Sequence, residues 1–236
     1  MQQSAKEWTI CRSHHCFSME LDKIYNEDCI IGMDKIPAES IDAIICDLPY
    51  GVTKNKWDVC IPFAPLWKQY LRIIKPNGAI ILFCQGMFTA ELLLSQPKYW
   101  RYNLVWNKVS TTGFLNSKRM PLRQHEDIAV FYKSLPVYNP QMRKSKPHQR
   151  RHGTTISSSM KNSNYNDFKM LDVEISDESY PTSIITISKS PKEYRDHPTQ
   201  KPAELYAYLI RQYTNKGGGN SRQLHWKRNC CRCCNP

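Results

Sequence analysis

No apolar stretch in this chain approaches the roughly 20 residues that cross a bilayer as a helix, so no membrane span is expected. The opening Met1-Gln2-Gln3-Ser4 lacks a signal-peptide core, and a cytoplasmic protein is the expectation. Regular cysteine spacing is lacking too. Of ten cysteines, Cys46 and Cys84 lie inside apolar runs and four crowd the last seven residues; this is no disulfide framework, and it argues for reduced thiols. Acidic residues are in short supply, with 21 Asp+Glu against 33 Lys+Arg and a formal net charge of +12 over 236 residues. That excess favours a polyanionic partner while leaving DNA, RNA and an anionic membrane surface open. The length suits one α/β domain with an inserted module.

Short apolar runs alternate with helical spacing along most of the chain. The polar stretch Cys11-Arg12-Ser13-His14-His15-Cys16 has zinc-ligating residue types but no second knuckle to complete a finger, so residues 1–18 read as a disordered extension before Met19. Ile24-Tyr25 reads as a strand, Cys29 to Ile36 as a helix, and Ile41-Asp42-Ala43-Ile44-Ile45-Cys46 as a buried parallel strand. Leu66, Trp67, Tyr70, Leu71 and Ile74 give helical spacing from Phe63, and Pro76-Asn77-Gly78 reads as a turn into the strand Ala79 to Cys84. A helix over Met87 to Leu94, strands over Tyr102 to Trp106 and Ile128 to Tyr132, and a helix over Ala203 to Tyr213 follow. Thr199 falls in the N-cap region of that last helix and Pro202 in its first turn. The alternation predicts an α/β protein with a layered, mainly parallel sheet.

Between Ser134 and Asp196 the periodicity fails. Arg143, Lys144, Lys146, Arg150 and Arg151 cluster there among Pro, Ser and His, ahead of an acidic run from Asp172 to Glu178. Basic charge interleaved with Ser, Asn and Tyr suits phosphate and base contacts, with a solvated loop as the alternative.

Asp47-Leu48-Pro49-Tyr50-Gly51 stands directly after the buried strand, at the strand end where open α/β sheets bind ligands. An exocyclic base amine is a poor nucleophile, and acceptors for its N–H groups orient it. Asp47 and the carbonyls of Leu48 and Pro49 supply acceptors, and Tyr50 supplies a ring to stack on the base. The segment resembles the Asp-Pro-Pro-Tyr motif of the amino-methylating DNA methyltransferases, with Leu48 in place of the first Pro. His197-Pro198-Thr199-Gln200-Lys201-Pro202 resembles the cofactor-side motif of the same family in its β motif order, about 150 residues downstream. Asn55-Lys56-Trp57-Asp58, Gly113-Phe114-Leu115-Asn116, Met120-Pro121-Leu122-Arg123 and His125-Glu126-Asp127 extend the likeness to phage and prophage adenine methyltransferases.

The resemblance implies a Rossmann-like sheet that moves a methyl group from S-adenosyl-L-methionine to adenine N6 in double-stranded DNA, in a bacterial or phage-infected cell. In the family Asp at the first motif position usually goes with adenine and Ser with cytosine. It implies catalytic roles for Asp47, Leu48, Pro49 and Tyr50, cofactor contacts from Asp28, Cys29, Asp47, His197, Thr199 and Lys201, and no metal. DNA contacts are expected from Lys54, Lys56 and the basic cluster at Arg143, Lys144, Lys146, Arg150 and Arg151. The expected organisation is a catalytic region over 19–133, a target-recognition region over 134–196, and the cofactor-side motif and helix over 197–216. An inactive DNA-binding remnant, and a cytosine-N4 or RNA methyltransferase, are the alternatives.

The tail departs from the family. A strand and a loop Asp-Asn-Cys-x-Gly-Ser-Gly-Thr are expected after Tyr213, yet no glycine follows Gly219. Joining the second and third bases of each codon to the first of the next changes the picture. Trp226 before Lys227 then gives Gly, and the codons from Gln223 to Asn229 permit Asn-Cys-Ile-Gly-Ser-Gly-Thr. A frameshift near Gly217 to Gly219 is therefore expected, with an incomplete sheet and an unstructured tail over 217–236. Cys230, Cys231, Cys233 and Cys234 are adjacent in pairs, a spacing that splays thiolates badly for tetrahedral zinc.

Overall fold

The computed structural model describes residues 24–25, 27–52, 58–144, 177–189, 200–215, 223–227 and 230–234, the last two segments as backbone. In chain order the strands are β1 (Ile24–Tyr25), β2 (Ile41–Asp47), β3 (Ile74–Cys84), β4 (Trp100–Thr112), β5 (Arg123–Phe131), β6 (Arg143–Lys144), β7 (Glu178–Ser179), β8 (Ile184–Thr186), β9 (Gln223–Lys227) and β10 (Cys230–Cys234). The helices are α1 (Cys29–Asp34), α2 (Phe63–Ile73), α3 (Met87–Ser95) and α4 (Ala203–Tyr213). Eight strands form one sheet in the order β1-β10-β9-β2-β3-β5-β4-β8. Six of them point the same way, and β10 and β5 run against the rest.

Strand alternation creates two apolar faces. Ile44 and Cys46 of β2, Ile80, Leu82 and Cys84 of β3, and Ala129 and Phe131 of β5 pack in one cluster with Met33, Leu66, Trp67, Tyr70, Phe88 and Leu92 of α1, α2 and α3. Their neighbours Ile45, Ile81, Phe83, Ile128 and Val130 pack in the other with Leu205, Leu209 and Tyr213 of α4. The result is a helix–sheet–helix sandwich whose central strands are buried on both faces. Continuous Ile-rich runs suit that position better than alternating ones do.

Asp28 caps α1, its Oδ1 accepting from the N–H groups of Ile30 and Ile31 at 2.9 and 3.2 Å. Pro202 stands one position earlier than the sequence implies, as the residue before α4 rather than within its first turn. The larger departure concerns Pro76-Asn77-Gly78, which forms no separate turn. The chain passes straight from α2 into β3, pairing Ile41 with Ile74 and then Ala43 with Ala79. Lys75, Pro76, Asn77 and Gly78 thus oppose Asp42 alone, and Lys75 Nζ reaches its Oδ1 at 2.6 Å. The breaker residues mark an irregularity within the strand, where a lost ladder bond is tolerated.

The stretch expected to lack structure supplies two strands. β9 pairs in parallel with β2 from Ala43↔Gln223 to Asp47↔Lys227, and β10 returns antiparallel to it and reaches β1. The exposed edge of β2 carries backbone donors and acceptors that need partners, and backbone pairing tolerates almost any sequence.

Met1–Asn139 with Ser183–Pro236 make one unit and Pro140–Thr182 a second. In the second, β6 and β7 pair antiparallel. β8, although it falls within the 134–196 stretch, belongs to the main sheet beside β4. Among the described residues no helix is long and apolar enough to cross a membrane.

Candidate active site

β2 delivers Asp47 at its carboxyl end, only 5% exposed. The chain must then turn sharply, and Asp58 makes it do so. Asp58 Oδ1 accepts from the N–H of Tyr50 at 2.9 Å and of Gly51 at 3.0 Å, and its Oδ2 from that of Val52 at 3.1 Å. A buried carboxylate taking three backbone donors is a rigid brace. Gly51 completes the turn at φ +68°, where a Cβ would meet Cys60 Sγ at 2.8 Å. Leu48, 2% exposed, fills the core below the turn, so its side chain serves packing while its carbonyl stays a separate resource.

Tyr50 donates its hydroxyl to Asp47 Oδ1 at 2.9 Å. Burial, with the nearby charge of Asp47, pushes its pKa well above the ordinary value and keeps the phenol a donor. Its ring lies 5.0 Å from that of Phe88 and is 9% exposed. The stacking surface expected of Tyr50 is therefore covered in this structure.

Lys201 brings the two sequence motifs together. Its ammonium lies 3.3 Å from Asp47 Oδ1 and 2.6 Å from Glu126 Oε2. It also faces the rings of Phe83, Trp106 and Tyr50 at 5.2, 5.7 and 5.9 Å, favourable ground for a cation. Glu126 Oε1 in turn meets Lys108 Nζ at 3.2 Å, where the Lys108 side chain is 2% exposed. Two ammoniums and two carboxylates thus share one buried cluster. Burial alone would lower the Lys201 pKa, but Asp47 and Glu126 outweigh it and hold the pKa above its usual 10.5. Burial alone would raise Glu126, and Lys201 and Lys108 outweigh it and hold it below 4.5. Nearby thiols are silent: burial lifts Cys29 and Cys84 to about 11 and Cys46 well above its ordinary value, so all three stay protonated at neutral pH.

The other expected residues are more scattered. Asp28 is an exposed helix cap and Cys29 a core residue under α1. Arg143 and Lys144 are exposed on β6, where an Arg143 guanidinium nitrogen donates to the Tyr180 carbonyl at 3.3 Å. His197, Thr199, Lys54, Lys56, Lys146, Arg150 and Arg151 lie outside the described residues. Asp58, Glu126, Lys108 and Phe88 are site residues that no motif in the sequence marks as such. For Asp58 and Glu126 the sequence does carry a signal, since both stand in short polar motifs beside apolar runs.

Comparison with known proteins finds a consistent neighbourhood. The family described as DNA methylase matches residues 41–219. The Type II methyltransferase M1.MboII of Moraxella bovis is 25% identical over 126 residues, covering 49% of this chain and 48% of that protein. M.BamHI of Bacillus amyloliquefaciens is 30% identical over 77 residues, 28% of this chain and 18% of that one. M.HindIII of Haemophilus influenzae is 46% identical over 39 residues, 16% and 13% of the two chains. The chain thus spans about half or less of the length of these relatives. Among solved structures, the PvuII DNA methyltransferase, titled cytosine-N4-specific, has a TM-score of 0.53 at 15% identity over 81% of this chain and 70% of that one, a likeness of fold. A complex of M1.HpyAVI with S-adenosylmethionine has a TM-score of 0.49 at 21% identity, over 85% and 80%.

Proposed function

This chain belongs to the DNA methylase family, and from that premise we propose an amino-methyltransferase of the adenine-N6 kind, acting on double-stranded DNA, with its target-base half built and its methyl-donor half incomplete. The observation that carries the reading is Asp47, a carboxylate braced at the end of β2 and ringed by donors and aromatic faces. A target adenine leaves the stack and enters such a site. Asp47 and the carbonyls of Leu48 and Pro49 accept from the two N6 hydrogens, which leaves the nitrogen lone pair pointing away from them. Positioning of this kind supplies much of the catalysis in a two-substrate transfer. Asp47 rather than Ser at the first motif position supports adenine over cytosine.

S-adenosyl-L-methionine supplies the methyl group in this family. The described residues do not fit it. Such cofactors sit against close-approaching glycine backbone at the end of a strand that leads into a helix. Here β9, the parallel neighbour of β2, is followed after only Arg228 and Asn229 by antiparallel β10. A one-base displacement of the reading frame near Gly217 to Gly219 accounts for this loss.

Calorimetric titration of S-adenosylmethionine onto this chain, and onto a version with the frame restored, tests the donor half. The restored version is expected to bind saturably and this chain not to; saturable binding by this chain would overturn the reading. Digestion of DNA methylated by the restored version tests the base, with N6-methyladenine expected. N4-methylcytosine as the product would displace adenine.

A further inference from the structure

We propose that the tip of the β4–β5 hairpin is a DNA wedge, in which Phe114 and Leu115 enter the base stack while Lys118 and Arg119 hold flanking phosphates. The inference rests on the proposed action on DNA. β4 is displaced in register near its outer end. β4 pairs Asn107 with His125 and Thr112 with Arg123, so Lys108, Val109, Ser110 and Thr111 oppose Gln124 alone. Val109 is held at φ +64°, an outlier for a β-branched residue. Asn107 fixes it there, its Oδ1 accepting from the Val109 N–H at 3.0 Å and from Gln124 Nε2 at 3.1 Å. Irregularities of this kind re-aim a strand beside functional sites. Here it turns Lys108 inward onto Glu126 and sends the following residues out beyond the sheet.

The tip is a fastened turn that nonetheless exposes apolar side chains. The Asn116 N–H donates to the Gly113 carbonyl at 2.9 Å, Ser117 to Phe114 at 3.0 Å, and Arg119 and Met120 to Asn116 at 2.8 and 3.0 Å. Phe114 is nevertheless 75% exposed, Leu115 84% and Met120 56%. Exposed apolar side chains on a rigid turn are not packed for the stability of this fold, and they match the wedges by which proteins unstack base steps. Charge selects the occupant. From Val109 to Gln124 there is no acidic residue, while Lys118, Arg119 and Arg123 are all exposed. Position agrees with it, because the same strand that bears the tip bears Lys108, whose partner Glu126 holds Lys201 against Asp47.

Anisotropy of a labelled mixed-sequence duplex, either matched or carrying one abasic position, tests this with the full chain. The four side chains are exposed, so their substitution leaves the core intact, which circular dichroism verifies. The unsubstituted protein is expected to prefer the abasic duplex, where unstacking is already done. Phe114→Ala with Leu115→Ala should erase that preference, by about tenfold, at an unchanged salt slope. Lys118→Ala with Arg119→Ala should weaken both duplexes alike and make the negative slope of log affinity against log salt shallower by about 2. Binding of both duplexes by F114A/L115A as by the unsubstituted chain would overturn the wedge and leave the DNA reading standing. Loss of self-association in F114A/L115A, with DNA binding unchanged, would reassign the tip to a protein interface and overturn the wedge as well. Failure of the unsubstituted chain to bind either duplex at low salt would overturn the DNA reading itself, and the wedge with it.

Discussion

Lys201 concentrates the energetics of the site in one side chain. Its burial is tolerable only because Asp47 and Glu126 flank it and three aromatic faces surround it. Removing one partner from such a cluster leaves uncompensated buried charge, which costs far more than the pair contributes over an apolar substitute. Lys201→Met should therefore destabilise the protein by about 3–5 kcal/mol in urea unfolding. The pH profile has two edges of opposite sign. Glu126 has a lowered folded pKa, so its contribution is present above pH 4.5 and is lost as pH falls through the folded value. Lys201 has a raised folded pKa, so its contribution is present below pH 10.5 and is lost as pH rises through the folded value. Glu126→Gln should flatten the acid edge of a stability-against-pH series. An acid edge identical to that of the unsubstituted protein would show that Glu126 does not carry it.

At the scale of elements, two displaced registers shape the site. In β3 the extra residues bring Gly78 so close to the neighbouring strand that a Cβ would lie 2.8 Å from the Asp42 carbonyl oxygen and 2.7 Å from Ile74 Cδ1. Backbone does not yield as a flexible side chain does. Gly78→Ala should cost about 1–3 kcal/mol in urea unfolding, and a change near zero would mean the strands relax apart. In β4 the extra residues separate Lys108, aimed inward, from the exposed tip. The sequence disclosed the helices within a residue or two, because buried positions such as Leu66, Trp67, Tyr70 and Ile73 recur at helical spacing. It concealed both irregularities. Proline and glycine interrupt a pattern in the same way whether they end a strand or bend it, and the lengths of β4 and β5 beyond their apolar cores are set by pairing with each other.

At the scale of the whole molecule, the tail decides what the sheet becomes. β9 and β10 stand between β2 and β1, covering the edge on which Asp47 ends. Removing residues 216–236 should open that edge, lower the unfolding midpoint and promote self-association on size exclusion. A truncated chain with self-association and midpoint unchanged from the full chain would show that β9 contributes no protection. By itself the sequence determined the α/β class, the placement of Asp47 after a buried strand and the family, because hydrophobic period and short motifs are local properties of the chain. The tertiary structure alone decided that Asp58 braces the turn, that Lys201 meets Asp47 and Glu126, and that the glycine-free stretch Gln223–Lys227 pairs with β2. Each of those facts joins residues that no local pattern of the chain links or depends on backbone pairing that many sequences satisfy, and only folding brings the partners within reach.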